Sequence, residues 1–424
     1  TTEIYTLSLH DALPISFDIS AEIDTANLMA AGLMNRDLRG RLGLRLTGQG
    51  TRPGNFQGLA VFSAIRLESE ELQYEEDELR ILSRETGPDR LSLEVDSDVL
   101  RARLEGQYHL GQLPASLLAF MNPYFQEKQA LVSPPDSLLA DADTLPPKKV
   151  LSPQQWELEI HLHDAVELMR ILVPDLVHLD SAYFKGRYDS ENRILEFDGK
   201  IPKLVYRGSG MENLELNISG DPGDFSGRFT SDTARYSPRL VFPATELRAR
   251  LAEGHILLDL SLAGDSLRER FATHVDIVRR DSLTYLRLGS PFVFEYDSWD
   301  IDAQNLITFD SAYLSVQSLV FRKDEQEIKL ASEARETWQP PLRLDFARFD
   351  LSEVNNLTGD DNWQLGGEMN GSLTVYDLFG SPYYASRISA SGVELNAEPF
   401  GDLYVNMELE SDEKVIAIYT RLDG

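Results

Sequence analysis

The chain has 424 residues, of which 40 are Lys or Arg and 70 are Asp or Glu, giving a formal net charge of −30. So acidic a chain is repelled by phosphate backbones and anionic headgroups, which excludes nucleic acid as a partner and leaves apolar surface as the only means of touching lipid. With no cysteine there is no disulfide, thiolate metal site or cysteine nucleophile, and no apolar run approaches the roughly 18 residues of a spanning helix.

Residues 1–16, TTEIYTLSLHDALPIS, break the pattern that begins at Phe17 and resemble translated sequencing-adapter read-through, so they are set aside as a non-native artefact. The chain does not begin with Met, shows no signal peptide and stops just after a strand-like run. A fragment of a longer protein is expected.

From Phe17 the apolar residues alternate: Phe17, Ile19, Ala21 and Ile23 oppose Asp18, Ser20, Glu22 and Asp24. A period of two is the signature of a half-buried strand. A short apolar helical turn is expected over 26–34. Strands follow at 38–46, 60–67, 79–83, 91–95 and 100–108, parted by turn chemistry at Arg52-Pro53-Gly54 and Thr86-Gly87-Pro88. Residues 113–125, LPASLLAFMNPYF, place apolar side chains at near-helical spacing behind Pro114, which predicts a short amphipathic helix capping a sheet end or lying over its apolar face. Residues 17–125 thus form one β-segment. Residues 126–153, rich in proline and acidic residues, read as a flexible loop.

The pattern restarts at Trp156, Leu158, Ile160 and Leu162, and residues 154–424 continue the β-segment. A second helix is expected over 165–179, interrupted at Pro174, and the repeated order of strand, short helix and hairpins suggests a weak internal repeat. The clearest stretch is 195–219. Leu195, Phe197, Gly199 and Ile201 face one way, Glu196, Asp198 and Lys200 the other, and Leu214, Leu216 and Ile218 return after a glycine-rich turn. A strand at 183–188 precedes this stretch, and others follow it at 240–242, 247–251, 256–262, 273–278, 284–288, 292–296, 306–310, 313–321 and 327–332. Short strands in simple order with one charged and one apolar side define a mainly β chain, built as a long antiparallel meander with a few short helices.

The last hundred residues carry the most specific pattern: LRLDFARFDLSEVNNL, then LGGEMNGSLTVYDLFGSPYYASRISASGVELNAEPFGDLYVNMEL. A strand ending in a short helix, a G-x-x-x-G strand, a proline-bearing turn and two more strands, at about 340–424, resemble the recurring unit of the TamB and AsmA-like family. The resemblance covers 17–424. It implies an elongated U-shaped β-groove lined by aliphatic and aromatic side chains, a location in the periplasm of a diderm bacterium, phospholipid acyl chains as cargo, and a role in outer-membrane biogenesis. It further implies an outer-membrane assembly barrel protein as a partner and an inner-membrane anchor outside this sequence. The family's N-terminal anchor and C-terminal domain have no counterpart here.

The physics of the pattern leaves two outcomes for the apolar side. It either curls into a trough filled by foreign hydrocarbon, or folds on itself as a dry-cored structural or adhesive β-solenoid or sandwich. A carbohydrate-active enzyme would need paired carboxylates meeting aromatics in a cleft; no segment suggests one. An outer-membrane barrel would need a continuous outward apolar band with aromatic girdles. The acidic loop and uneven strands argue against it.

No catalytic constellation, P-loop, G-x-S-x-G or complete G-x-G-x-x-G is present, so a non-enzyme without cofactor or metal is expected. His161 and His163 beside Asp164 read as solvated strand-face residues, and Asp221 and Asp224 as turn residues, as do Asp360-Asp361-Asn362. The sequons at Asn217, Asn356 and Asn370 carry no weight in a bacterial host. The candidate groove-lining residues are the inward strand positions Leu91, Leu93, Val95, Leu195, Phe197, Ile201, Leu214, Leu216, Ile218, Leu258, Leu260, Leu262, Leu373 and Val375.

Overall fold

The computed structural model describes residues 16–30, 37–50, 56–69, 73–125, 151–221, 223–236, 240–252, 254–264, 266–280, 282–333, 339–355, 363–410 and 415–424. The chain divides into two compact units, one over 1–123 and 129–225, the other over 124–128 and 226–424. Both are built from antiparallel strands, and in neither does the last strand pair with the first, so neither closes into a barrel among the described residues.

The first unit contains β1 (Ser16–Asn27), β2 (Arg39–Gln49), β3 (Gln57–Glu68), β4 (Gln73–Gly87), β5 (Arg90–Ser97), β6 (Leu100–Gln107), helix α1 (Leu113–Phe125), β7 (Gln155–Leu162), helix α2 (Val166–Leu172), β8 (Leu176–Leu179), β9 (Ala182–Asp189), β10 (Ile194–Tyr206) and β11 (Ser209–Gly220). Each strand from β1 to β7 pairs with the next, after which β7 pairs β9, β9 pairs β10 and β10 pairs β11. The proline-rich stretch interrupts the sequence but not the sheet. On either side of it, β6 and β7 pair from Leu100↔Leu162 to Gln107↔Gln155. Residues 126–150, most of the expected loop, lie outside the described residues, as do 1–15.

Two expectations are corrected here. The helical turn placed over 26–34 is instead the end of β1 at Ala26 and Asn27 followed by a turn at 28–30, with 31–36 outside the described residues. The second helix covers only Val166–Leu172, because Pro174 denies the next turn its N–H, and Leu176–Leu179 becomes a strand on the edge of β10 opposite Leu204, Val205 and Tyr206. By contrast, α1 spans the whole interval its spacing predicts.

The second unit contains β12 (Phe225–Arg235), β13 (Val241–Ala252), β14 (His255–Ala263), β15 (Glu269–Arg280), β16 (Leu283–Phe294), β17 (Asp297–Ile301), β18 (Leu306–Phe309), β19 (Leu314–Gln317), β20 (Leu319–Lys323), β21 (Gln326–Ser332), β22 (Leu342–Asp350), β23 (Leu365–Tyr376), β24 (Tyr383–Leu395), β25 (Glu398–Glu410) and β26 (Val415–Asp423). A 3-10 turn, Leu351–Val354, follows β22 and is capped by the Asp350 carboxylate accepting from Ser352 N. This is the short helix expected there.

Several expected strand boundaries shift. The expected strands at 240–242 and 247–251 merge into one strand, β13, which begins at Val241 and is carried through a bend at Ala244 (φ 80). Residues 284–288 and the start of 292–296 merge in β16, which ends at Phe294 because Glu295 and Tyr296 both take positive φ and turn the chain into β17. The run 313–321 splits into β19 and β20 at Ser318 (φ 50). β12 was not anticipated, since FSGRFTSDTAR puts small and polar residues where a strand of the meander shows leucines.

The meander of the second unit forks at β16. Its first half pairs with β18 (Leu286↔Ile307) and its last residues with β17 (Phe292↔Trp299), while β17 also pairs with β20 and so starts the run β20 to β26. The Asn305 side chain sits in the crotch, accepting from Leu288 N (2.8 Å) and donating to the carbonyls of Leu288 (2.8 Å) and Asp302 (2.7 Å). One amide therefore replaces the strand partner that Leu288 loses where its neighbours diverge.

Candidate functional site

Residues directly opposite in a ladder share a face, so the register traces each face strand by strand. In the first unit one row runs Phe17, Gly48, Gly58, Ser83, Leu93, Leu104, Leu158, Gly186, Phe197, Ile218. The row beside it runs Ile19, Leu46, Ala60, Ile81, Val95, Ala102, Ile160, Phe184, Gly199, Leu216. Leu91 and Leu195 belong to a third row through Gly106, Trp156 and Tyr188, and Ile201 opposes Leu214 in a fourth. All nine candidate residues of this unit thus share one apolar face, in four adjacent rows. Gly186 and Gly199 make room on it for the facing Phe197 and Phe184 rings, which stack at 5.9 Å.

The opposite face is charged. Arg84 bonds Glu94 (2.6 Å), Lys200 bonds Glu215 (2.7 Å) and Asn217 donates to Asp198 (2.7 Å). Exposed pairs of this kind add little stability, but they keep that side in water.

Both helices cover ends of the apolar face. Under α1, Phe120 meets Tyr188 edge-on at 5.6 Å, and the Tyr188 hydroxyl donates to the Ser116 carbonyl (3.0 Å) while also pairing with Ser116 Oγ (2.8 Å). Burial raises the Tyr188 phenol above its ordinary pKa, and burial pushes that of Tyr108 up to about 12. Under α2, Ile171 packs with Leu38 and Tyr74. There burial, together with a hydrogen bond donated to the buried Glu76 carboxylate, holds the Tyr74 phenol far above the ordinary range.

In the second unit Leu258 lies in a row with Ala249, Val275 and Leu288, Leu260 with Leu247 and Thr273, and Leu262 with Thr245 and Phe271. Leu373 lies in the row Leu319, Leu330, Leu344, Leu373, Ser386, Met407, Ile418, and Val375 opposes Leu342 and Tyr384. In β23, Gly371 (φ 139) sits where a Cβ would overlap the Arg387 carbonyl oxygen, which accounts for one glycine of the G-x-x-x-G strand.

Of the fourteen candidate residues only Leu214, at 6% exposure, is buried; the other thirteen are partly exposed. A dry two-layer core would bury most of such a set, so these rows carry apolar surface that the described side chains leave uncovered. Sequence spacing missed equal members of the same rows, among them Leu104, Leu158, Ile160 and Val275. Their signal, the same alternation, was there.

The fork is the exception. Ile301 (6%), Val316 (2%), Leu319 (5%) and Leu342 (9%) form a packed cluster, with Leu288, Phe292, Ile307, Leu314, Phe321, Leu330 and Leu378 against it. Side chains stitch the layers together there: Val316 N donates to Ser332 Oγ (2.9 Å), and Gln339 bonds both the N–H and the carbonyl of Leu314.

Among the described residues no group of three His, Asp or Glu side chains is placed to hold a metal ion. His161 and His163 stack on each other at 6.3 Å. Asp221 accepts from Gly223 N and Asp224 N and so closes its own turn. Residues 360–362 lie outside the described residues.

The fold and face together define an open, one-sided antiparallel β protein whose exposed hydrocarbon is ordered in rows. No family model, curated protein or solved structure matches the chain.

Proposed function

We propose that the chain is a segment of a TamB-like, non-enzymatic envelope protein that carries phospholipid between inner and outer membranes, the acyl chains lying on the apolar rows while the headgroup stays in water. The observation that supports this reading is the set of thirteen partly exposed aliphatic and aromatic side chains aligned across successive strands. Hydrocarbon is an undemanding ligand, suited to a lining of interchangeable Leu, Ile, Val and Phe. Covering about ten methylenes is worth roughly 8 kcal/mol before the costs of association. The periplasmic setting, the support of outer-membrane biogenesis and a barrel protein as partner belong to the same proposal.

The test is lipid mass spectrometry of the purified chain and of the L216E and L260E variants. Bound phospholipid that falls several-fold in each variant, with the circular dichroism unchanged, supports the reading; equal lipid yield refutes it. The packed cluster at the fork favours a second reading, a dry-cored structural or adhesive protein, for which the unmodified chain would yield no lipid at all.

A further inference from the structure

We infer that the cluster at the fork is a dry barrier that divides the apolar face of the second unit into two separate acyl-binding stretches. This rests on the lipid reading above and adds to it where hydrocarbon cannot go.

The register carries the inference. From Leu258 the row passes through Val275 to Leu288, which packs on the cluster. From Leu373 the row passes through Leu344 and Leu330 to Leu319, a member of the cluster. The two candidate stretches therefore run into the same packed core from opposite sides. On each side the lining is partly exposed, whereas Val316 and Leu319 at the centre are 2% and 5% exposed. A close-packed interior has no room for a chain about one methylene wide, and insertion would have to displace side chains already in contact.

The barrier is also hard to open. The branches separate at Asn305, whose amide makes three hydrogen bonds while only 1% exposed, and Gln339 and Ser332 fasten β19 to the β21 side. Sliding the layers apart breaks buried polar pairs as well as apolar contacts.

The experiment uses the whole chain, phosphatidylethanolamine and phosphatidylglycerol vesicles doped with a phospholipid bearing a diazirine on its acyl chain, and peptide mapping of the photo-adducts. Adducts are expected around Leu260 and around Leu373, with at least tenfold fewer over 314–321. Adducts over 314–321 as frequent as on either flank overturn the barrier while leaving the lipid reading intact. Adducts nowhere overturn both. In the V316A/L319A double variant, adducts over 314–321 should rise several-fold; no rise despite a retained fold would overturn the assignment of these side chains as the obstruction.

Discussion

Removing the Asn305 side chain tests the fork most directly. The N305A substitution withdraws the acceptor used by Leu288 N and the donor used by the Leu288 and Asp302 carbonyls, all at 2.7–2.8 Å. The two backbone groups of Leu288 lose a partner at the point where β17 and β18 diverge, and each buried orphan costs about 1–3 kcal/mol. The expected loss is about 2–6 kcal/mol, at the low end if water enters the crotch. Because the two units need not unfold together, amide hydrogen exchange is a better readout than a global midpoint. Exchange at Leu288 and over β18 should accelerate by at least 30-fold, as about 2 kcal/mol requires, while β2 to β5 stay unchanged. Q304A, at the exposed neighbouring position, is the control. Unchanged protection at Leu288 in N305A would refute the claim that a side-chain amide holds the fork together.

Three further outcomes follow from the geometry. Y188F removes the hydroxyl that pairs with Ser116 and should cost about 1–2 kcal/mol, seen as faster proteolysis within α1; unchanged proteolysis would mean that the helix is held by its apolar contacts alone. G371A should cost at least about 2 kcal/mol and loosen β23 from β24, since a Cβ there would overlap the partner strand's backbone; an unaltered Tm would refute the close approach. Burial by itself would raise the pKa of Asp189, but donation from the N–H and side chain of Asn192 and from the N–H of Glu191 outweighs it and holds the carboxyl below its usual range. A depressed folded pKa adds stability above the unfolded value, about 3.9, and that stability is lost as pH falls through the folded pKa. D189N should therefore destabilise the first unit at pH 7 and converge on the parent chain as the pH falls through the depressed folded pKa of Asp189, by urea denaturation; a deficit that does not shrink with falling pH would refute the linkage.

The alternation in 195–219 was enough to assign strands, to separate a charged from an apolar side, and to place Leu195, Phe197, Ile201, Leu214, Leu216 and Ile218 on one face. That inference needs only the pleat: side chains two apart point the same way, whatever the strand pairs with. The amphipathic spacing of 113–125 identified α1 for an equally local reason. Local pattern failed where a partner strand decided the outcome. Residues 176–179 carry a helical spacing, yet an open edge on β10 draws them into the sheet; β12 lacks leucines, yet it is a strand.

The fork lay beyond the sequence altogether. Nothing in DSWDI, LITF or LSVQ says that consecutive short strands leave β16 in different directions, or that Asn305 rather than another backbone satisfies Leu288. Periodicity thus determined which side chains are apolar and share a face. Which of them are covered, Val316 and Leu319, and which stay open, Leu258, Leu260 and Leu373, was decided by strand pairing between segments far apart in sequence. Burial is a property of what lies opposite, and no residue's own spacing encodes that.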